Sequence, residues 1–145
     1  MTTVIRNAAP EDWEGVKALL IRCALPVDGA RDHFANFLLA CDDARLIACG
    51  GLKFYGEVAL LRSVAVDPGH RGRGLGKSLV DALLATASSR RTGSIVLLTT
   101  TAADYFPRMG FTAVTRNSLP EGVMASEEFK GACPDTATAM LMKLG

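Results

Sequence analysis

A run of glycines and cations, HRGRGLGKS from His70 to Ser78, has the composition of a loop that holds phosphate. A strand-like stretch precedes it, and an apolar helical pattern follows it. Backbone N–H groups at a helix N-terminus bind anions well, and glycine lets a ligand approach the main chain. Arg71, Arg73 and Lys77 add cationic donors. The alternative is a tight surface turn whose arginines are solvated.

The glycine spacing excludes two common nucleotide-binding loops. A P-loop requires a glycine five residues before Gly76, and that position is Arg71. A Rossmann turn requires G-x-G-x-x-G, which this run lacks. The phosphate-binding hypothesis therefore needs a different arrangement of glycines.

The spacing of apolar residues predicts the elements that position this loop. Their order predicts an α/β fold with a mixed sheet and helices packed on it, in a single domain of residues 1–145. The predicted strands are 3–6, 37–41, 45–55, 58–66, 94–100, 111–114 and 137–144, and the predicted helices are 10–23, 32–37, 75–90, 101–109 and 118–129.

Composition limits the classes of partner. Sixteen basic and fifteen acidic residues give a formal net charge of +1, which provides no global field for nucleic acid or an anionic membrane. We therefore expect a small-molecule partner. No apolar stretch is long enough to cross a membrane, and no signal-peptide core is visible, so we expect a cytoplasmic protein. The cysteines lack a C-x-x-C pair and are expected to be reduced core residues, without a metal. They are Cys23, Cys41, Cys49 and Cys133.

Read as Arg71-x-x-Gly74-x-Gly76, the loop resembles the R/Q-x-x-G-x-G/A signature of the GNAT superfamily of N-acetyltransferases, which holds the pyrophosphate of acetyl-CoA. The preceding VALLRSVAV, the following GLGKSLVDALLATA and the later SIVLLTTTAADYF with PRMGF are similar to that family in order and spacing. The resemblance implies a GNAT fold, a mostly antiparallel sheet that splays at the acetyl-CoA strand. It also implies acetyl-CoA as the acetyl donor.

The resemblance also implies which residues bind acetyl-CoA. Backbone groups of the splayed strand would bind the pantetheine arm as if it were another strand, and N–H groups of the loop would hold the pyrophosphate. Core packing is the alternative explanation for the valines. The implied residues are Val64, Ala65, Val66, Arg71, Gly72, Arg73, Gly74, Leu75, Gly76, Lys77 and Ser78.

Acetyl transfer to an amine requires a base for the ammonium and benefits from an acid for the leaving sulfur. In many family members the acid is a tyrosine four residues before the glycine of the G-F pair, and this position is Phe106. The adjacent Tyr105 is the candidate acid, although one residue along a helix turns the side chain by about 100°. Glu57 is the candidate base, acting through water. An exposed hairpin carboxylate is the alternative for Glu57.

Arg62 is the candidate acceptor-binding residue. A guanidinium in the middle of a buried strand is costly unless it meets an anion, and a substrate carboxylate would supply one. A structural pair with Glu57 or an aspartate is the alternative. Tyr55 is the second residue that we predict to bind substrate.

Three segments, YGEVALLRSVAVDPGHRGRGLG, LLTTTAADYF and EEFKGACPDTATAM, resemble the small ArsN-type acetyltransferases of arsenic-resistance operons. This implies a detoxifying role, with the α-amine of an amino acid or of a toxin such as arsinothricin or phosphinothricin as acceptor. An ordinary metabolite such as glutamate or a polyamine is the first alternative, and a non-catalytic CoA-sensing domain is the second. Dimers are common in the superfamily, and apolar residues of 139–144 would form the interface or finish the sheet.

Overall fold

The computed structural model describes residues 3–99, 104–119, 123 and 137–144, and these residues form one sheet with helices on both faces. Short 3-10 helices connect several of the elements. The strands are β1 (Thr3–Asn7), β2 (Phe37–Asp42), β3 (Arg45–Tyr55), β4 (Val58–Val66), β5 (Ser94–Thr99), β6 (Thr112–Val114) and β7 (Thr138–Lys143), and the α-helices are α1 (Trp13–Arg22) and α2 (Leu75–Ser89).

The sheet has the order β1-β2-β3-β4-β5-β7-β6. Only β4 and β5 pair in parallel among the described strands, and the other neighbours are antiparallel. The parallel pair arises because α2 crosses over between β4 and β5, whereas short turns join β2 to β3 and β3 to β4. The expected mixed, mostly antiparallel sheet is confirmed.

The two α-helices pack on opposite faces of the sheet. Alternation along each strand sends neighbouring side chains to different faces. In β3, Cys49 packs in the core cluster under α1, whereas Ala48 packs in the cluster that contains Leu79 of α2. Burial of this apolar surface on both faces holds the middle of the sheet rigidly between two helices.

Most sequence predictions agree with the observed elements to within a residue or two. The first predicted helix is divided into a 3-10 turn at Pro10–Asp12 and the α-helix α1. The helix predicted for 101–109 is a 3-10 turn at Phe106–Met109 in its described part. The helix predicted for 118–129 lies mostly outside the described residues, and Cys133 lies wholly outside them.

The last strand of the chain, β7, is an internal strand of the sheet. β7 lies between β5 and β6, and both Ala139 and Met140 are buried. Of the two expectations for residues 139–144, the structure therefore supports completion of the sheet over an exposed dimer interface. No helix among the described residues has the length and apolar character needed to cross a membrane.

Gly51 of β3 allows an aromatic ring to lie directly on the strand backbone. A Cβ added at Gly51 would overlap Cδ1 of Phe37, whose side chain is fully buried. We therefore expect Gly51→Ala to destabilise the fold by about 1–3 kcal/mol through overpacking. Urea denaturation measures this change.

The matched control is Gly15→Ala in α1. A Cβ at Gly15 would meet Leu46 at an ordinary 3.6 Å, and the residue is exposed. We expect this substitution to stabilise the helix by roughly 0.5–1 kcal/mol, since alanine restricts the unfolded chain. Equal stability of the two variants would contradict the role of the Phe37 contact.

Candidate active site

A cleft opens where β4 separates from β5. The two strands pair only from Val58 to Leu60, opposite Ser94 to Val96, although β5 continues beside β7 as far as Thr99. No described strand pairs with this edge of β4 from Leu61 onward. The splay expected of the fold is confirmed, and an extended ligand can add to this edge.

A β-bulge shifts the alternation of side chains along β4 beside this cleft. Opposite the single residue Gly50, β4 has two residues, Ser63 and Val64. Ser63 adopts φ 60°, in the left-handed region that residues other than glycine rarely enter. After the bulge, Ala65 packs towards α1. Sequence reasoning missed this feature, because no residue in β4 is typical of a left-handed conformation.

The glycine-rich loop between β4 and α2 leaves open space at the helix N-terminus. Gly72 and Gly74 adopt φ 83° and 76°, and no atom lies within 4 Å of a Cβ built at either residue. Gly74 is the N-cap of α2, whose first N–H groups have no partner within the helix. Open space beside free helical donors fits the pyrophosphate of an acetyl-CoA molecule.

The cations of the loop differ in their partners. Lys77 Nζ lies 2.7 Å from Asp81 Oδ2, and this hydrogen bond and the carboxylate charge raise the pKa of Lys77. Arg73 is exposed. Arg71 Nε donates to the Val66 carbonyl at 3.1 Å, and the residue remains exposed. The role of Arg71 as a cationic donor to phosphate stays a prediction.

Tyr105, and not Phe106, is the aromatic residue beside the loop. Phe106 is 7% exposed and packs edge-on against Phe111 in the core. Tyr105 is 37% exposed, and its hydroxyl would lie only 2.8 Å from a Cβ at Gly76. Desolvation raises the pKa of Tyr105, the charge of Asp81 adds to this, and Lys77 partly offsets it.

Glu57 lies at the opposite end of β4 from the loop. Its side chain is exposed in the turn that joins β3 to β4, and its backbone carbonyl accepts from Gly93 N at 2.6 Å. The seven steps along the chain from Glu57 to Val64 span about 23 Å of strand. The structure therefore does not bring the Glu57 carboxylate together with the loop.

Arg62 and Tyr55 lie on the sheet face opposite α2. Arg62 is only 5% exposed, and its Nε donates to Ser63 Oγ at 3.0 Å. Tyr55 is half-buried, and Lys53 Nζ lies 5.1 Å from the centre of its ring. Arg62 pairs with Gly51 across the strands, whereas Tyr55 pairs with Val58 near the turn. Arg62 is therefore the closer of the two to the cleft.

The described cysteines are core residues. Cys41 and Cys49 are buried and Cys23 is half-buried, and all three are free thiols. Burial raises the pKa of Cys49 to about 12, with a further contribution from Cys23. Within the described part of the chain, no three His, Cys, Asp or Glu residues are grouped so as to hold a metal ion.

A cleft beside β4 that leads to a glycine-rich helix N-terminus is the arrangement expected of an acetyltransferase that binds acetyl-CoA. A family model for the acetyltransferase (GNAT) family matches residues 5–111. The chain belongs to this family and is an acetyl-CoA-dependent acyltransferase.

Relatives and solved structures agree with this assignment. An uncharacterized N-acetyltransferase of Chlorobaculum tepidum is 26% identical over 83% of each chain. An amino-acid acetyltransferase of Mycobacterium tuberculosis is 34% identical over 48% of this chain, which spans only 40% of that relative.

Among solved structures, Rv2747 of Mycobacterium tuberculosis in complex with CoA has a TM-score of 0.79 and 26% identity, covering 98% of this chain and 99% of that one. The N-acetylglutamate synthase of Neisseria gonorrhoeae, complexed with CoA and N-acetyl-glutamate, has a TM-score of 0.86 at 20% identity. It covers 100% of this chain, which spans 36% of the synthase.

The contact between Gly76 and Tyr105 makes a testable prediction. We expect Gly76→Ala to displace the Tyr105 ring and to weaken acetyl-CoA binding about tenfold, because the added methyl meets the hydroxyl at 2.8 Å. Adding Tyr105→Phe should restore most of the affinity, since the next ring atom is 3.6 Å away. Isothermal titration calorimetry measures both constants, and an unrelieved loss in the double variant would contradict the prediction.

Proposed function

We propose that this enzyme transfers the acetyl group of acetyl-CoA to the α-amine of an amino acid or an amino-acid-like molecule. The observation that carries the proposal is the buried guanidinium of Arg62, two residues before Val64 on β4. The similarity of this chain to an amino-acid acetyltransferase of Mycobacterium tuberculosis supports the same class of acceptor.

The proposal assigns Arg62 to the acceptor carboxylate. A guanidinium at 5% exposure retains little hydration, so an added carboxylate gains strength from the low local dielectric. Arginine binds a carboxylate through two parallel N–H donors, which would also orient the neighbouring α-amine. Tyr55, on the same face, would line the more distant part of the acceptor site.

The proposal assigns acetyl-CoA to the cleft and the loop. Backbone groups of Val64 and Ala65 and the N–H of Val66 would pair with the pantetheine arm, since the Val66 carbonyl already accepts from Arg71 and Cys23. The first N–H groups of α2 would hold the pyrophosphate. The support is the unpaired edge of β4 and the open space at Gly72 and Gly74. The remaining loop residues proposed to contribute backbone or side-chain contacts are Arg71, Arg73, Leu75, Gly76, Lys77 and Ser78.

Acetyl-CoA supplies a thioester whose carbonyl carbon is attacked by the neutral amine, so that an N–C bond forms and the C–S bond breaks. The backbone N–H near Val64 would stabilise the developing oxyanion. Tyr105 would protonate the leaving sulfur, which is consistent with a phenol whose raised pKa keeps it protonated. The proton that the nitrogen loses as it becomes an amide would return to Tyr105 through solvent. Glu57 would accept the ammonium proton only through a chain of water molecules.

At the level of the individual acceptor, we propose an amino-acid-like toxin of the arsinothricin or phosphinothricin type, in a detoxifying or arsenic-resistance role. Both carry a free α-amine and a carboxylate that suits Arg62. Glutamate is the second candidate, favoured by the similarity in fold to a synthase solved with N-acetyl-glutamate. A polyamine is disfavoured by the cation at Arg62, since like charges repel.

The acceptor assignment is tested by the release of free CoA with phosphinothricin, arsinothricin, glutamate and spermidine. We expect turnover with a carboxylate-bearing acceptor, and we expect Arg62→Ala to lower kcat/KM for it by about 10² to 10³. Arg62→Lys should restore only part of this. Arg45→Ala, an exposed arginine at the start of β3, is the control and should leave kcat/KM unchanged.

Melting temperatures must accompany these measurements, because Arg62 is buried. A folded Arg62→Ala protein that retains kcat/KM, or wild-type turnover of spermidine alone, would contradict the acceptor assignment. Acetyl-CoA affinity should remain unchanged in Arg62→Ala, so a loss of that affinity would instead indicate a role in cofactor binding.

The acid and base assignments are tested by pH profiles. If Tyr105 protonates the sulfur, Tyr105→Phe lowers kcat about tenfold to a hundredfold and removes the high-pH fall in kcat, while KM for acetyl-CoA is little changed. If Glu57 is the base, Glu57→Gln alters the low-pH limb of kcat/KM. An unchanged profile in Glu57→Gln would assign deprotonation to solvent.

Two further parts of the proposal concern the location of the protein and its oligomeric state. We propose a cytoplasmic location, in line with the free thiols of Cys41 and Cys49. We also propose a homodimer, which would use the edge strand β1, where Val4 is 52% exposed. Sedimentation velocity tests this, and a monomer at high micromolar concentration would contradict it.

A further inference from the structure

The C-terminal end of α1 contacts the start of the glycine-rich loop. Cys23, the first residue after α1, donates its thiol to the Val66 carbonyl, with Sγ at 3.6 Å. Arg71 Nε donates to the same carbonyl at 3.1 Å, and its Nη2 lies 3.6 Å from Cys23 Sγ. The thiol, the carbonyl and the guanidinium therefore form a closed set of three contacts.

A second pair of contacts holds Asp67, the residue after Val66. Arg22 Nη2 lies 2.9 Å from Asp67 Oδ2, while Asp67 Oδ1 accepts from Gly69 N at 3.0 Å. The Gly69 N–H and the Arg22 charge lower the pKa of Asp67, so the carboxylate is charged at neutral pH. We call Arg22, Cys23, Asp67 and Arg71 together the α1 clamp.

The α1 clamp holds the residues that connect the end of β4 to the glycine motif. Val66 is the last residue of β4, and Arg71 begins the Arg71-x-x-Gly74-x-Gly76 motif. With its guanidinium turned back onto the Val66 carbonyl, Arg71 ties the loop to the strand that it leaves. Displacement of Arg71 would move the N–H groups of the loop relative to that strand.

Cys23 is the member of the clamp that fixes the guanidinium of Arg71. Its sulfur accepts from Arg71 while its proton is directed to Val66, so it fills the space between them and favours one orientation of the guanidinium. Alanine would leave the Nη2 group without this contact, whereas serine keeps a polar group that can bond to one of the two partners after a small shift of the backbone.

We propose that Cys23 is a positioning residue for acetyl-CoA binding, which acts through Arg71 to hold the glycine-rich loop against the end of β4. This inference rests on the proposed binding of the pyrophosphate by that loop. Cys23 itself does not touch the acetyl-CoA.

The test measures the Kd of acetyl-CoA by isothermal titration calorimetry in the full chain. We expect Cys23→Ala to raise the Kd about threefold to tenfold, with a parallel rise in KM for acetyl-CoA and kcat changed less than about twofold. Cys23→Ser should recover part of the affinity. Arg71→Ala should weaken binding at least as much as Cys23→Ala.

A double-mutant cycle tests whether Cys23 acts through Arg71. If it does, Cys23→Ala added to Arg71→Ala causes no further rise in Kd. The control is Cys41→Ala, a buried cysteine of the same core cluster on β2. It should lower the melting temperature without changing the Kd.

Two results would overturn the inference: a Cys23→Ala protein that loses stability as Cys41→Ala does but keeps its Kd, or losses of Cys23→Ala and Arg71→Ala that simply add. Gly74→Val separates this failure from failure of the loop assignment, because it strains a φ of 76° in the loop itself. An unchanged Kd in Gly74→Val rejects the loop assignment and the inference with it. A raised Kd there, with no effect at Cys23, rejects the inference alone.

Discussion

The early separation of β4 from β5 is the constraint on which the rest of the site depends. Three residue pairs join the two strands, after which β5 continues with β7 and β4 follows β3. An unpaired strand edge inside a sheet is costly unless something else occupies it. The cleft therefore combines backbone donors and acceptors for an extended ligand with the glycine-rich helix N-terminus that follows β4.

Packing on both faces maintains this separation. α1 covers one face of β3 and β4 and contacts the start of the loop, and α2 covers the other face. The bulge at Ser63 lets β4 bend away while it remains paired with β3. Strain at a left-handed serine is tolerated because the surrounding sheet and helices over-determine its conformation.

The aromatic pair Tyr105-Phe106 illustrates how the fold assigns different roles to neighbouring residues. The motif of the family predicts an acid at the position of Phe106, but the Phe106 ring packs in the core against Phe111. The adjacent Tyr105 places its hydroxyl beside Gly76 at the start of α2. A one-residue difference next to a short 3-10 turn thus decides which ring is buried in the core and which one is partly exposed beside the glycine-rich loop.

The sequence by itself determined the order of the elements, the sheet class and the position of the glycine-rich loop. These features are local, since apolar periodicity defines strands and helices and Gly72 and Gly74 permit the left-handed turns that the loop requires. Only the tertiary structure decided the bulge at Ser63, the direction of the Arg71 side chain and the distance of Glu57 from the loop. Each of these depends on contacts between distant segments, as when Cys23 meets Val66 across 43 residues of chain, and no local pattern encodes such a contact.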